Sequence, residues 1–328
     1  MSVFGNVKNK LGFGCMRLPC ENDKIKYPEF CEMVDAFLEN GFNYFDTARM
    51  YHSGQSETAL RECLVKRHPR ESFILTNKLS TNFFEKQEDV VPYFESQLQE
   101  CGVEYFDFYL MHSQNSKLYK KYKRCRAYEQ ALKFKKEGKI KHFGISFHDK
   151  AYVLDKILTE YPQIEVVQIQ FNYADYDDPT VESRKCYEVC RKHGKPVIVM
   201  EPVKGGTLVR LPDNAKKILE DLKGGSIASY AIRFAASFEG VMMVLSGMGN
   251  MDMLRDNMSY MKNFKPLENY EKEAISKVCE IFRSQNLIPC TECRYCVDGC
   301  PKNILIPNLF ACLNGKKQWG TWAYAFYY

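Results

Sequence analysis

Residues 73–112 read FILTNKLSTNFFEKQEDVVPYFESQLQECGVEYFDFYLMH. An apolar run at residues 73–77 leads into an amphipathic stretch at residues 90–101, and a second apolar run follows at residues 106–111. Short runs rich in β-branched and aromatic residues are typical of buried strands, and the longer stretch has the spacing of an amphipathic helix. This segment therefore predicts a strand, a helix and a second strand in succession.

The same alternation recurs from the N-terminus to about residue 262 and gives eight strand and helix pairs. The predicted strands are residues 11–16, 44–46, 73–77, 106–111, 142–146, 166–171, 196–200 and 242–245. The predicted helices include residues 28–39, 57–66, 90–101, 128–137 and 180–192. Eight such units without a long structureless insertion favour a closed α/β fold, the (β/α)8 TIM barrel, over an open doubly wound sheet. An open dinucleotide-binding sheet would also need a third glycine after Gly12 and Gly14.

The composition is that of a globular protein with a large core, since hydrophobic residues make up 45% of the 328 residues and charged residues 27%. The formal net charge of +5 is small for this length and argues against a nucleic-acid partner; we interpret the basic run at residues 117–126 as solvated surface. No apolar stretch approaches the roughly 20 residues that span a bilayer, and the N-terminus lacks the apolar core of a signal peptide. We expect a cytoplasmic protein without a membrane partner.

Four polar residues stand at or just beyond the ends of the second, third and fourth predicted strands. They are Asp46, Tyr51, Lys78 and His112. In a parallel barrel the active site forms at the carboxyl ends of the strands. Each residue alone is more often structural, as a turn cap, a packed ring, a solvated amine or a satisfied imidazole. Together, at the ends of successive strands, they predict a catalytic site.

The chemistry that suits this set is hydride transfer between a nicotinamide and a carbonyl or alcohol. Hydride delivery to a carbonyl carbon leaves an alkoxide, so the site needs an acid and a hydrogen-bond donor. Tyr51 can be the acid if the charge of Lys78 lowers its pKa. Asp46 would pair with Lys78 and hold it charged, while His112 would donate to the carbonyl oxygen.

These residues resemble the aldo-keto reductase family. The run from Asp46 through Tyr51 to Glu57 resembles the family's Asp-Thr-Ala-x-x-Tyr-x-x-Gly-x-Ser-Glu signature, and Lys78 and His112 match its remaining catalytic positions. The resemblance covers about residues 5–262 and implies an NAD(P)-dependent oxidoreductase that acts on a small carbonyl or alcohol substrate.

The resemblance also implies cofactor contacts at Ser146, Gln168, Met200, Gly247 and Asn257. Phe147 replaces the family's usual asparagine, and Met200 replaces the aromatic residue that stacks on nicotinamide. Gly247 and Met253 stand where basic residues usually receive the 2′-phosphate of NADP. Methionine cannot replace arginine at a phosphate, so we expect weak discrimination between NADP(H) and NAD(H), with Arg255 as the nearest compensating cation.

A composition change near residue 285 follows a predicted helix at residues 268–284. Four of the 14 cysteines form the run Cys290, Cys293, Cys296 and Cys300, followed by Pro301. This Cys-x2-Cys-x2-Cys-x3-Cys-Pro spacing is the bacterial ferredoxin pattern for a [4Fe–4S] cluster. We therefore predict a barrel at residues 1–285 and a small ferredoxin-like iron–sulfur segment at residues 286–328. Zinc or free thiols are the alternatives.

The fourth cysteine departs from a single-cluster pattern, because in two-cluster ferredoxins it ligates the other cluster. The reductase subgroup that this chain resembles carries a second cysteine run after an aromatic segment like residues 319–328. Either Cys300, Cys312 or Cys279 completes one cluster, or the segment is truncated. A cluster also implies an electron-transfer partner. The alternatives to an enzyme are a non-catalytic redox sensor or regulatory protein and a pure electron carrier.

Overall fold

The computed structural model describes residues 4, 7–179, 181–284, 287–290 and 294–319. Eight parallel strands form a closed barrel in the order β1-β10-β9-β8-β7-β6-β5-β4. They are β1 (Leu11–Gly14), β4 (Tyr44–Asp46), β5 (Ile74–Leu79), β6 (Phe106–Gln114), β7 (Ile140–Phe147), β8 (Val166–Gln170), β9 (Val197–Met200) and β10 (Val241–Ser246). The barrel closes because β1 pairs in parallel with both β4 and β10. The predicted (β/α)8 barrel and all eight predicted strands are confirmed.

Helices follow the strands, as the sequence pattern predicts. The helices in the described part of the chain are α1 (Tyr27–Glu39), α2 (Gln55–Leu60), α3 (Gln87–Cys101), α4 (Ser116–Arg124), α5 (Ala127–Lys136), α6 (Ala151–Glu160), α7 (Ser183–Lys192), α8 (Asp213–Glu220), α9 (Ile227–Ala236), α10 (Met251–Met261), α11 (Asn269–Ser284), α12 (Tyr295–Asp298) and α13 (Ile306–Trp319). Within those residues, no helix is long and apolar enough to cross a membrane.

Several boundaries differ from the sequence-based expectation. Strands β5 and β6 continue to Leu79 and Gln114, so Lys78 and His112 lie inside strands and not just after them. The helix expected at residues 57–66 is α-helical only over Gln55–Leu60 and widens into a π turn at Arg61–Val65. A hairpin was not predicted. Its strands, β2 (Cys20–Glu21) and β3 (Lys24–Ile25), have only two residues each and are too short to show alternation.

Alternate residues of the strands fill the barrel with apolar side chains. One buried cluster consists of Phe4 and of apolar strand residues, which are Tyr44, Ile74, Phe108, Leu110, Val166, Ile198, Met243 and Leu245. Because side chains alternate between the two faces of a strand, the next inward residue after Tyr44 is Asp46, and the inward residues after Ile74 include Lys78. The strand period thus sets a polar layer directly beyond the apolar one.

The chain divides into two compact units. The first comprises Met1–Pro202 and Ile232–Pro266 and contains all eight barrel strands. The second comprises Val203–Ala231 and Leu267–Tyr328, in which α8 contacts α11. Within the second unit the Asn314 side chain donates to Ile288 O at 2.6 Å and accepts from Ile288 N at 2.7 Å. This division does not fall at residue 285, so the predicted boundary there stays a prediction.

Position 144 has no room for a side chain, because neighbouring strands pack closely against Gly144. A Cβ atom at this position would lie 2.6 Å from Leu110 Cδ2, Val166 Cγ1 and Val166 O. We expect Gly144→Ala to lower the free energy of unfolding by about 1–3 kcal/mol, because overpacking forces these strands apart. Chemical denaturation of the purified protein measures the loss. Gly249→Ala is the matched control, since its Cβ would meet only Arg17 O at 3.6 Å; an equal loss in both variants would contradict the packing explanation.

Candidate active site

The polar layer at the carboxyl end of the barrel contains three of the four predicted catalytic residues. Asp46, Lys78 and His112 are 2%, 0% and 7% exposed. They come from the adjacent strands β4, β5 and β6, in which Asp46 is paired with Thr76 and Lys78 with Leu110. A cluster of ionisable groups this deeply buried needs internal partners, since burying an unpaired charge is costly.

Lys78 is the centre of the cluster. Its Nζ donates to Asp46 Oδ1 at 2.5 Å and to the Thr47 carbonyl at 2.9 Å. The same Nζ lies 3.2 Å from Tyr51 Oη and 4.9 Å from the centre of the Tyr51 ring. The second carboxylate oxygen of Asp46 accepts from Gln168 Nε2 at 3.3 Å. The structure therefore brings Asp46, Tyr51 and Lys78 together as the sequence predicts.

Tyr51 is held by a tight turn and not by a strand. It begins a 3-10 turn (Tyr51–Gly54) in which His52 and Ser53 have φ values of 50° and 53° and Gly54 has φ of 93°. The Tyr51 amide donates to Ala48 O at 3.0 Å, and His52 Nε2 accepts from the Leu18 amide at 3.1 Å. These bonds hold the tyrosine turn against the barrel mouth despite its left-handed backbone.

The remaining residues of the Asp46–Glu57 motif support that turn. Thr47 Oγ1 and Ser56 Oγ lie 2.8 Å apart at the two ends of the loop. Glu57 is fully buried and forms an ion pair with Arg49. Glu57 also accepts from Asn77 Nδ2 at 2.9 Å and from Gln97 Nε2 at 3.0 Å. Gln97 Nε2 in turn contacts Lys78 O at 3.1 Å, so the motif braces the strand that carries the lysine.

The expected lowering of the Tyr51 pKa is wrong. Burial raises the pKa of the Tyr51 hydroxyl well above its ordinary value, and the nearby charge of Asp46 adds to the rise. The physical reason is that Asp46 largely offsets the positive charge of Lys78 at this distance, so the ammonium cannot outweigh desolvation of the phenolate. Burial also raises the pKa of the Asp46 carboxyl, and Lys78 and Gln168 oppose that rise. Tyr51 is thus a protonated donor at neutral pH.

His112 faces Tyr51 across the site, with ring centres 6.2 Å apart and planes at 83°. Burial holds the pKa of His112 well below its ordinary value, and the charge of Lys78 lowers it further, so the ring is neutral. Its Nδ1 lies 2.6 Å from Ser80 Oγ. A second imidazole, His148, follows β7, and burial together with Lys78 lowers its pKa to about 4. Ser80 and His148 were not predicted, although both stand just after the carboxyl ends of predicted strands.

Two predicted cofactor residues lie beside this cluster. Ser146 and Gln168 are paired across β7 and β8, and both are buried. Ser146 Oγ accepts from the Ser113 amide at 2.9 Å, directly after His112 in the chain. Met200 ends β9 opposite Gln170. A hydroxyl and a carboxamide side by side provide the donors and acceptors that a nicotinamide amide requires, so these residues fit that group.

Gly247 directly follows β10, and Asn257 lies on α10. Asn257 Nδ2 donates to Ser246 Oγ at 2.7 Å, and its Oδ1 accepts from Tyr260 Oη at 2.5 Å. This carboxamide therefore holds its own loop. A Cβ at Gly247 would lie 3.2–3.3 Å from Cβ, Cγ and Cδ of Arg17, so the stem of the Arg17 side chain packs beside Gly247. Arg17 was missed because no spacing signal marks it.

The cysteine segment is described only in part, because Cys293 lies outside the described residues. Cys296 is exposed, and Cys290 and Cys300 are partly exposed. Cys300 Sγ accepts from the Ile304 amide at 3.4 Å. Among the described residues, no group of three histidine, cysteine or acidic side chains is arranged to hold a metal ion.

Comparison with known sequences identifies a family and several oxidoreductase relatives. The Aldo/keto reductase family model matches residues 10–280. An uncharacterized oxidoreductase of Schizosaccharomyces pombe, C215.11c, is 26% identical over 264 residues, which span 76% of this chain and 81% of that protein. The NADH-specific methylglyoxal reductase of Escherichia coli is 26% identical over 196 residues, which span 53% of this chain and 57% of that protein.

Solved structures show the same fold. Aldo-keto reductase AKR11C1 from Bacillus halodurans, in its holo form, aligns with a TM-score of 0.66 at 23% identity, over 83% of this chain and 92% of that one. An aldo-keto reductase from Klebsiella pneumoniae in complex with NADPH aligns with a TM-score of 0.66 at 18% identity, over 82% and 90% of the two chains. With a family match across most of its length and a barrel of this form, the chain belongs to the Aldo/keto reductase family of NAD(P)-dependent oxidoreductases.

Proposed function

We propose that this chain reduces small aldehydes or ketones to alcohols at the cluster formed by Asp46, Tyr51, Lys78 and His112. The observation that carries the proposal is the position of Lys78 Nζ, which lies 2.5 Å from Asp46 Oδ1 and 3.2 Å from Tyr51 Oη inside the barrel. Lys78 is completely buried between the Asp46 carboxylate and the Tyr51 phenol, which excludes the interpretation of Lys78 as a solvated surface amine. The glyoxal and methylglyoxal reductases among its relatives suggest dicarbonyl compounds as first test substrates.

The proposed mechanism assigns one task to each side chain. A bound nicotinamide supplies the hydride that reduces the carbonyl carbon. The Tyr51 hydroxyl donates its proton to the carbonyl oxygen, and the C=O double bond becomes an alcohol C–OH. Lys78 stabilises the phenolate that remains, and Asp46 keeps Lys78 charged and oriented. The neutral ring of His112 donates a hydrogen bond to the same oxygen and fixes the substrate.

The alternative of a non-catalytic sensor or regulatory protein is less well supported. A barrel without chemistry has no need of a buried ion pair at its mouth, since such pairs are often neutral or unfavourable for stability. A pure electron carrier likewise does not explain the Tyr51 turn. The intact four-residue cluster therefore favours an enzyme.

For the cofactor, we propose that Ser146 and Gln168 hold the nicotinamide amide and that Met200 packs against the ring. A thioether is polarisable and can contact an aromatic face. Asn257 supports the adenosine loop by its bond to Ser246, and Gly247 leaves room for Arg17. Arg17 then supplies the cation that positions 247 and 253 lack.

For the cysteine run, we propose a [4Fe–4S] cluster in residues 286–328, appended to a reductase domain at residues 1–285. The spacing of the run supports it. The cluster would stabilise this segment or exchange electrons with a redox partner.

The catalytic assignment predicts the behaviour of two variants. Tyr51→Phe should lower kcat for methylglyoxal by about a thousandfold or more while leaving the Kd for NADPH nearly unchanged, because the hydroxyl acts in the transition state. Lys78→Met should be comparably damaging, since it removes the charge that stabilises the phenolate. Steady-state kinetics and cofactor titration measure both effects. A parallel loss of NADPH affinity in Tyr51→Phe would argue against its role as the acid.

The cofactor assignment predicts a specific effect of Arg17. The protein should discriminate only weakly between NADPH and NADH, and Arg17→Ala should weaken NADPH binding about tenfold, roughly 1.4 kcal/mol, with little effect on NADH. Isothermal titration of both cofactors measures the change. Arg124→Ala, an exposed change at the end of α4, is the matched control. Equal losses for NADPH and NADH would place Arg17 at a group common to both cofactors.

The cluster assignment predicts that Cys290, Cys293 and Cys296 bind iron and sulfide together, while Cys300 contributes weakly or belongs to a second site. Two-residue gaps let three thiolates converge, whereas Pro301 turns the chain away after Cys300. Iron and sulfide analysis of anaerobically prepared protein should show loss in Cys293→Ser but retention in Cys300→Ser and in the exposed control Cys20→Ser. If Cys300→Ser loses the cluster as fully as Cys293→Ser, all four cysteines ligate one cluster.

A further inference from the structure

Ser80 is a buried hydroxyl that contacts His112 from the neighbouring strand. It follows β5 in extended backbone, with φ of −100° and ψ of 129°. Because strand side chains alternate, Ser80 lies on the same face as Lys78, two residues earlier. Its Oγ lies 2.6 Å from His112 Nδ1, and the residue is 1% exposed.

The backbone around this contact is fixed by a third side chain. The Tyr122 hydroxyl, on α4, contacts the carbonyls of both Leu79 and His112, the latter at 2.8 Å. Tyr122 is completely buried, and Leu79 is also paired with Met111 in the strand register. The Tyr122 hydroxyl and the strand pairing therefore hold the two backbones beside each other, and the serine hydroxyl hydrogen is free to rotate toward Nδ1.

A neutral imidazole carries its one N–H on either Nδ1 or Nε2, and the partner of one nitrogen decides which. His112 is neutral here because burial and Lys78 lower its pKa. Within the described residues, Ser80 is the hydrogen-bond partner of Nδ1, and Nε2 forms no hydrogen bond to a protein group. Nε2 is thus the nitrogen left to meet a substrate.

We propose that the Ser80 hydroxyl donates a hydrogen bond to Nδ1 of His112 and so keeps the ring proton on Nε2, where it can be donated in a hydrogen bond to a substrate carbonyl. The inference rests on the proposed carbonyl reduction, and Ser80 acts only through His112, as a positioning residue. In the opposite tautomer Nε2 would present a lone pair to the carbonyl oxygen, and the two acceptors would repel each other.

The test combines a spectroscopic and a kinetic measurement on the full chain. With ¹⁵N-labelled histidine, six rings contribute signals, and a His112→Gln variant assigns the one of interest. In the parent protein we expect a protonated Nε2 and an unprotonated Nδ1. Ser80→Ala should shift His112 toward the other tautomer and lower kcat for methylglyoxal with NADPH about tenfold, with the Kd for NADPH unchanged. Ser80→Thr, which keeps the hydroxyl, should restore both.

The control is Ser72→Ala, the same change at a serine that precedes the start of β5. It should alter neither measurement. If Ser80→Ala does not fold, Ser80→Cys places a weaker donor in the same space and gives the same comparison. A protonated Nδ1 in the parent protein, or an unchanged tautomer in Ser80→Ala, would overturn the role of Ser80. A tautomer that responds to Ser80 in a protein that reduces no carbonyl would keep that role and overturn the proposed function.

Discussion

The buried ion pair between Lys78 and Asp46 is the interaction on which the polar end of the barrel depends. Neither side chain is more than 3% exposed, so both charges have lost their water. A pair in this position is tolerable only if further hydrogen bonds replace the lost hydration, and Thr47 O and Gln168 Nε2 provide them. Removing either partner would leave an uncompensated buried charge, which is why the surrounding strands and turn are arranged to serve the pair.

The ion pair also sets the chemical character of Tyr51. Because Asp46 offsets the ammonium, burial dominates and the phenol keeps its proton. Such a group is suited to donating a proton in the transition state while Lys78, 3.2 Å away, stabilises the phenolate as it forms. The proposed role of the turn is therefore to place a proton donor beside a stabilising charge, and this role does not need a tyrosine that is ionised beforehand.

Stability and reactivity are separated along the barrel axis by the period of the strands. Tyr44 and Ile74 belong to the apolar cluster, and Asp46 and Lys78 occupy later inward positions of the same two strands. In β6 the order is the same, with Leu110 in the cluster and His112 two residues on. The apolar layers carry the packing energy, and the polar layer carries the side chains of the proposed chemistry. Gly144 shows how tightly the inner layer is filled.

The sequence by itself determined the eight strands, the closed barrel and the four-residue cluster, because strand period and spacing are local properties that survive folding. It also marked the cysteine run, because that pattern is defined by the spacing of its cysteines alone. It did not reveal Ser80, His148 or Arg17, since each is defined by a neighbour 32 or more positions away or by the shape of a loop. Nor could the sequence give the direction in which the Tyr51 pKa shifts, because that shift depends on burial and on the balance of two opposite charges. Only tertiary structure decides such quantities, since they are set by distances between residues that the chain brings together from different strands.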